Sequence, residues 1–255
     1  MAGFYGKMPS KGDFVQRSVD RDAMQKLDAW FQQGMNASKE VLGDDWLARY
    51  QIAPIWRYYL SAGVVDENAW TGVWIASIDR VNRNFPLTII SADTNPVGCI
   101  ADLMGYQSWY LDVEDQLLTV LEEGFDFDQF CSRVEDLPVP QMGQWSPAAD
   151  DLAARVNQTQ MPDDLHDVLQ EMAMRIQLME QKMGMPSSSP NEVGSSPLTV
   201  QQNLAGALDC YGTELASVAG ACVWLSEGSE NIGEQVLVTS GLPEAELFTH
   251  YLTGF

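Results

Sequence analysis

Strand-like runs stand at both ends of this 255-residue chain, and helical patterns fill the space between them. Residues 55–60 (Ile55-Trp56-Arg57-Tyr58-Tyr59-Leu60), 70–78 and 85–91 are rich in aromatic and β-branched residues, as strands are. Pro86 fits a strand start or edge. Two further runs, 217–225 and 235–239, come near the C-terminus. Strands far apart in sequence must share a sheet to bury their faces. The order therefore predicts an α/β fold, a layered domain on a mixed sheet that the C-terminal strands complete. We expect one domain over residues 1–255, with a variable acidic excursion at about 138–198.

The helices are read from spacing. Met24, Leu27, Phe31, Met35 and Leu42 mark one face of a helix over 21–42, capped by Asp20 and stopped by Gly43. A short helix carries Trp46, Leu47 and Tyr50. A long one is expected over 98–123 with Ile100, Leu103, Leu111, Leu118 and Leu121 on its apolar side, stopped by Gly124. Another follows from Asp126 to Glu135. Residues 138–162 read as irregular. Residues 163–183 read as a helix with Met172, Ile176, Met179 and Met183 on one face, which suits core packing or an adaptable grip on a partner. Gly184 to Pro197 reads as a loop, 200–209 as a helix, and 244–252 as the last helix.

The net charge of -22 is unevenly placed. Residues 1–83 hold 10 basic and 10 acidic side chains, whereas residues 84–255 hold 4 against 26. Such a surface repels nucleic acid and anionic lipid, which need positive charge to displace their counterions. It either keeps the chain soluble or attracts a basic neighbour. Cys99, Cys131, Cys210 and Cys222 form no Cys-x-x-Cys pair and sit among apolar residues, so they read as core thiols in a reducing compartment. The start lacks the basic-then-apolar pattern of a signal peptide, and no 18-residue apolar run exists. A cytoplasmic location is expected.

A catalytic set is missing from the sequence. His166 and His250 have no recognisable nucleophile partner, and there is no Gly-x-Ser-x-Gly, His-Glu-x-x-His or phosphate loop. Paired carboxylates are plentiful but uninformative in so acidic a chain, so no metal or cofactor is expected. What stands out is three segments that combine Gly or Pro, a large ring and a cation: Gly3 to Phe14, Ala53 to Arg57, and Asp79 to Leu87. The Gly6-to-Gly12 loop either turns Lys7 and Lys11 toward an anion or is a strand-to-loop corner. Arg57, Arg80 and Arg83 either pair with carboxylates such as Asp79 or Asp13, or form a ring-lined recognition patch. If the runs 55–60, 70–78 and 86–91 are antiparallel neighbours, all three segments meet at one end of the sheet. The candidate partner-contacting residues are Lys7, Lys11, Asp13, Arg17, Trp56, Arg57, Arg80, Arg83 and Asn84.

The three segments resemble the TagF/ImpM family of type VI secretion accessory proteins. Gly-Phe-Tyr-Gly-Lys-x-Pro-x-x-Gly-Asp-Phe is matched by Gly3 to Phe14, Ala-Pro-x-Trp-Arg by Ala53 to Arg57, and Asp-Arg-Val-x-Arg-x-Phe-Pro-Leu by Asp79 to Leu87. The likeness is strong over residues 3–92 and fades beyond about 135. The resemblance implies an α/β/α sandwich and a cytoplasmic, non-enzymatic role as a post-translational repressor of secretion. It implies the system's forkhead-associated scaffold protein as the partner. Some relatives carry a fused serine/threonine phosphatase; this chain has no room for one, so any phosphatase partner is expected to be a separate protein. The alternative is an enzyme or sensor that binds a phosphorylated ligand through Lys7, Lys11, Arg57, Arg80 and Arg83, which requires those five cations to converge.

Overall fold

The computed structural model describes residues 1–93, 103, 105–140 and 220–254. The expected irregular segment beyond residue 140, the helices at 163–183 and 200–209, the loop at 184–197, Ile100, His166, Cys99 and Cys210 lie outside the described residues, as does nearly all of the expected excursion.

Seven strands form one sheet: β1 (Ala2–Gly6), β2 (Val15–Arg17), β3 (Trp56–Leu60), β4 (Ala69–Ile75), β5 (Leu87–Asp93), β6 (Ala221–Ser226) and β7 (Gln235–Ser240). Their order is β2-β1-β5-β4-β3-β6-β7. The C-terminal strands complete the sheet as expected, because β6 pairs with β3. The α/β sandwich is as expected, but the sheet is not mixed. Every pairing among the described strands is antiparallel. The cause lies in the connections: β3, β4 and β5 follow one another through loops too short to carry a parallel crossover. The three-residue edge strand β2 had no sequence signal long enough to read.

Period-two alternation sends neighbouring side chains to opposite faces. On β3, Trp56, Tyr58 and Leu60 enter one core and Tyr59 enters the other. The first core packs beneath α1 (Arg21–Leu42), α2 (Trp46–Gln51) and the closing helix, for which a 3₁₀ turn (Ala245–Leu247) leads into Phe248–Thr253. It is strongly aromatic: Trp30 stacks on Trp224 at 4.7 Å and Trp74 on Phe248 at 5.8 Å. Asp20 caps α1 through the Ala23 N–H, as its position predicts.

The second core lies under α3 (Gln107–Thr119) and α4 (Phe127–Glu135). Asp126 caps α4 by accepting from the N–H groups of Asp128 and Gln129. The apolar face read for the long helix needs correction. Trp109, Tyr110, Val113 and Leu117 are the buried stripe of α3, while Leu111 and Leu118, together with Leu121 beyond its end, are exposed. Large rings at 109 and 110 claim the sheet-facing positions, and the leucines take what remains. Leu103 is buried, as expected.

Candidate functional site

Strand register sets the site. Gly6 pairs with Leu87, Leu87 with Ile75, and Trp74 with Trp56. The end of β1, the end of β4 and the starts of β3 and β5 therefore lie at one end of the sheet, and all three motif segments begin or end there. The motif glycines are packing devices. A Cβ on Gly3 would lie 2.4 Å from the Ser18 carbonyl oxygen. Gly6 has φ +136°, and a Cβ there would lie 2.0 Å from the Pro86 carbonyl oxygen.

Two loops meet beyond this end, and Asp79 holds them. Its side chain is buried, and its Oδ1 accepts from the N–H groups of Val81 and Arg83, both at 2.9 Å. Oδ2 accepts from Arg83 Nε at 2.7 Å and lies 3.1 Å from Lys7 Nζ. Burial alone would raise this carboxyl. The hydrogen bonds from the Arg83 N–H and guanidinium, from Lys7 and from the Val81 N–H outweigh it and hold the pKa well below the usual carboxylate range. Asn82, at φ +62°, turns the chain, donating its N–H to the Asp79 carbonyl at 2.9 Å.

The 79–83 loop is then fastened to the N-terminal loop. The Arg80 N–H donates to the Lys11 carbonyl at 2.8 Å. The Arg83 guanidinium donates to the Gly12 carbonyl at 2.6 Å. The Arg80 guanidinium lies over Gly12, 3.3 Å from where a Cβ would stand. Phe14 stacks on Tyr5 at 5.6 Å and meets Phe85 edge-on at 4.9 Å, with Lys7 Nζ 5.0 Å from its ring centre. Lys11 Nζ sits 3.9 Å from the Phe127 ring centre, a cation–π contact that ties the loop to α4.

The nine candidate residues separate on inspection. Lys7 is buried against Asp79. Trp56 is fully buried in the aromatic core, its Nε1 donating to the Tyr251 carbonyl at 3.1 Å. Arg57 emerges on the opposite face, under α3. There it donates through Nε and Nη2 to the two Glu114 oxygens and through Nη1 to Gln107, and it pairs with Glu227 at 2.8 Å. Side-chain contact with a partner is therefore closed to Lys7, Trp56 and Arg57. Arg17 is exposed and pairs with Glu135 at 2.6 Å. Asp13 is exposed and accepts from the Phe14 N–H. Asn84 is half-buried, bridging to Ile78, and its buried Oδ1 has no hydrogen-bond partner among the described residues. Arg80 and Arg83 are exposed on one loop, and Lys11 on the other is half-buried with its ammonium over Phe127. The expectation that Asp79 holds one of the arginines is met by Arg83. The convergence of five cations, which a phosphorylated-ligand site requires, does not occur: Arg57 is spent on Glu114 and Glu227 elsewhere.

Sequence reasoning missed two apolar members of this surface. Phe14 is 44% exposed and Val81 60% exposed; Val81 shares the loop of Arg80 and Arg83, and Phe14 lies two residues beyond Gly12, whose carbonyl Arg83 holds. Their exposure had no sequence signal, since an apolar residue in a motif does not announce whether anything covers it. Among the described residues, no group of three or more His, Cys, Asp or Glu side chains is placed to hold a metal ion. His250 is exposed on the last helix, and Cys131 and Cys222 are buried free thiols. No described helix is long and apolar enough to cross a membrane.

The family model for the TagF N-terminal domain, described as type VI secretion system-associated, matches residues 3–137. The chain belongs to the TagF family. The matched span holds both loops and all nine candidate residues, so the loop pair lies within the TagF domain itself. A structural relative supports the fold: the crystal structure of PA0076 from Pseudomonas aeruginosa PAO1 superposes with a TM-score of 0.67 at 30% identity, covering 100% of this chain and 95% of that one. Comparison with curated proteins gives no match. Membership of TagF links the chain to type VI secretion.

One prediction follows from the Asp79 geometry. Its folded-state pKa is depressed, so its contribution to stability is fully present above the unfolded value of about 3.9 and is lost as pH falls through the folded pKa. The melting-temperature gap between wild type and Asp79→Asn is expected to be widest near about pH 7 and to narrow below about pH 4. A gap of constant size across that range would show that the carboxylate charge does not hold the loops.

Proposed function

We propose that this chain is a cytoplasmic, non-catalytic regulator that represses a type VI secretion system by docking on its forkhead-associated scaffold protein. The observation that carries the reading is the loop pair itself: within the family-matched region, an otherwise buried set of motif residues serves to fix Arg80, Arg83, Phe14 and Val81 rigidly at the surface. Building two loops so tightly around one buried carboxylate is a cost that binding repays, since a preorganised surface loses little entropy on association. Arginine and aromatic residues are also the side chains that most often anchor interfaces. A separate serine/threonine phosphatase is a second proposed partner. The strongly acidic remainder disfavours nucleic acid and anionic membrane as partners.

Deleting the gene is expected to raise release of the system's needle-tube protein, and overproducing the chain to lower it. Release unchanged in both directions, in cells where the system is active, would sink the proposal.

A further inference from the structure

We propose that the paired loops, 9–14 and 79–84, form a docking surface for a short acidic protein segment that carries an apolar anchor residue. This deepens the reading above and rests on it for the claim that the loops meet a partner.

The chemistry of the surface names the occupant. Arg80 and Arg83 supply exposed cations on one loop, half-buried Lys11 lies on the loop bonded to it, and Val81 and Phe14 supply exposed apolar area on the same two loops. Arg83 keeps 57% of its side chain exposed even while bonded to Asp79, so its outer edge remains open to a second carboxylate. Among the described residues Arg80 has no ion pair; its guanidinium lies against Gly12, and its side chain is exposed. Guanidinium groups are built for bidentate capture of carboxylates. The cations are local: with Lys7 they number four against Asp13 and Asp79, in a chain whose net charge is -22. At physiological salt such a patch is felt over about 8 Å. A long polyanion, whether nucleic acid or membrane, would overrun the patch and meet the acidic remainder. A short acidic segment fits within it. The apolar pair then gives that segment a place to bury one large side chain, which supplies most of the affinity where charges supply selection and on-rate.

The test uses the full chain in cells where the secretion system is active. A photoreactive benzophenone residue at position 81 replaces the exposed Val81, with the same residue at exposed Val41 on α1 as control. Cross-linked peptides are identified by mass spectrometry. The expected product joins position 81 to an Asp/Glu-rich segment, with position 41 silent, and Arg80→Glu, which leaves the Arg83 bonds to Asp79 and Gly12 in place, is expected to lower its yield about tenfold or more. An acidic segment of the scaffold protein supports both this inference and the proposed function. An acidic segment of a different protein supports the inference and removes the scaffold. A neutral or basic segment, a segment of this chain or of a second copy, no cross-link at all, or a yield indifferent to Arg80→Glu overturns the inference.

Discussion

Replacing Glu114 by Ala is expected to lower stability by about 3 kcal/mol, more than most single changes cost. Arg57 is the reason. Its side chain is 6% exposed and Glu114 is 14% exposed, and the two are joined by two hydrogen bonds beneath α3. Burial by itself disfavours the charged guanidinium; Glu114 foremost, then Glu227, restores and raises its pKa. Removing Glu114 leaves that charge in the core with Gln107 and the solvent-exposed Glu227 as its remaining partners. Breaking a buried pair costs about 3–5 kcal/mol, and the help from Glu227 places this case at the lower end. For a chain of this size that corresponds to a fall of about 6–12 °C in melting temperature. The double variant Arg57→Leu with Glu114→Leu is expected to recover most of the loss, because replacing both charges removes the desolvation penalty along with the attraction. Thermal melts of the three proteins check this. A double variant as unstable as Glu114→Ala would mean that the pair holds α3 on the sheet by geometry rather than by compensating a charge.

That pair also marks where sequence reasoning reached its limit. The motif Ala53 to Arg57 was legible as special, and the start of β3 was legible from its rings. The side on which Arg57 would emerge depends on register, which a single sequence does not print: shift β3 by one residue and Trp56 and Arg57 exchange layers. Glu114 and Gln107, 57 and 50 positions away, could be joined to Arg57 only by knowing that α3 packs over β4 and β5, within reach of a side chain from the neighbouring β3. The strands themselves were readable because aromatic and β-branched residues cluster in them, and α1 because its apolar spacing is regular. Leu111, Leu118 and Leu121 misled for the converse reason. Periodicity reports that a face is apolar, not that something covers it. The loop pair was half legible: a pairing of Asp79 or Asp13 with Arg57, Arg80 or Arg83 could be read, but not which one, and the antiparallel meander implied that the segments meet. That Lys7 would join the same carboxylate, leaving Arg80 outside, is a matter of side-chain competition for one buried group.

Arg80→Glu is expected to abolish repression while leaving the fold intact. The Arg80 side chain is exposed and its backbone N–H bond to Lys11 survives the change, so stability should move by less than about 0.5 kcal/mol. Binding should suffer far more. An interface arginine typically contributes about 2 kcal/mol or more, a loss of about 30-fold in affinity, and reversing its charge adds repulsion from an acidic partner. Arg83→Glu would confound the two effects, since Arg83 also holds Asp79 and Gly12. Arg80 separates them. A large drop in melting temperature for Arg80→Glu would show that the residue serves folding, and the loop pair would lose its claim to contact a partner.

The most direct measurement is release of the needle-tube protein from a strain lacking this gene, complemented either with the wild-type chain or with Arg80→Glu at equal cellular level. We predict high release in the deletion strain, low release with the wild-type chain, and high release with the variant. Equal release in all three strains would contradict a repressor, and low release with both complementing chains would contradict a repressor that acts through this surface.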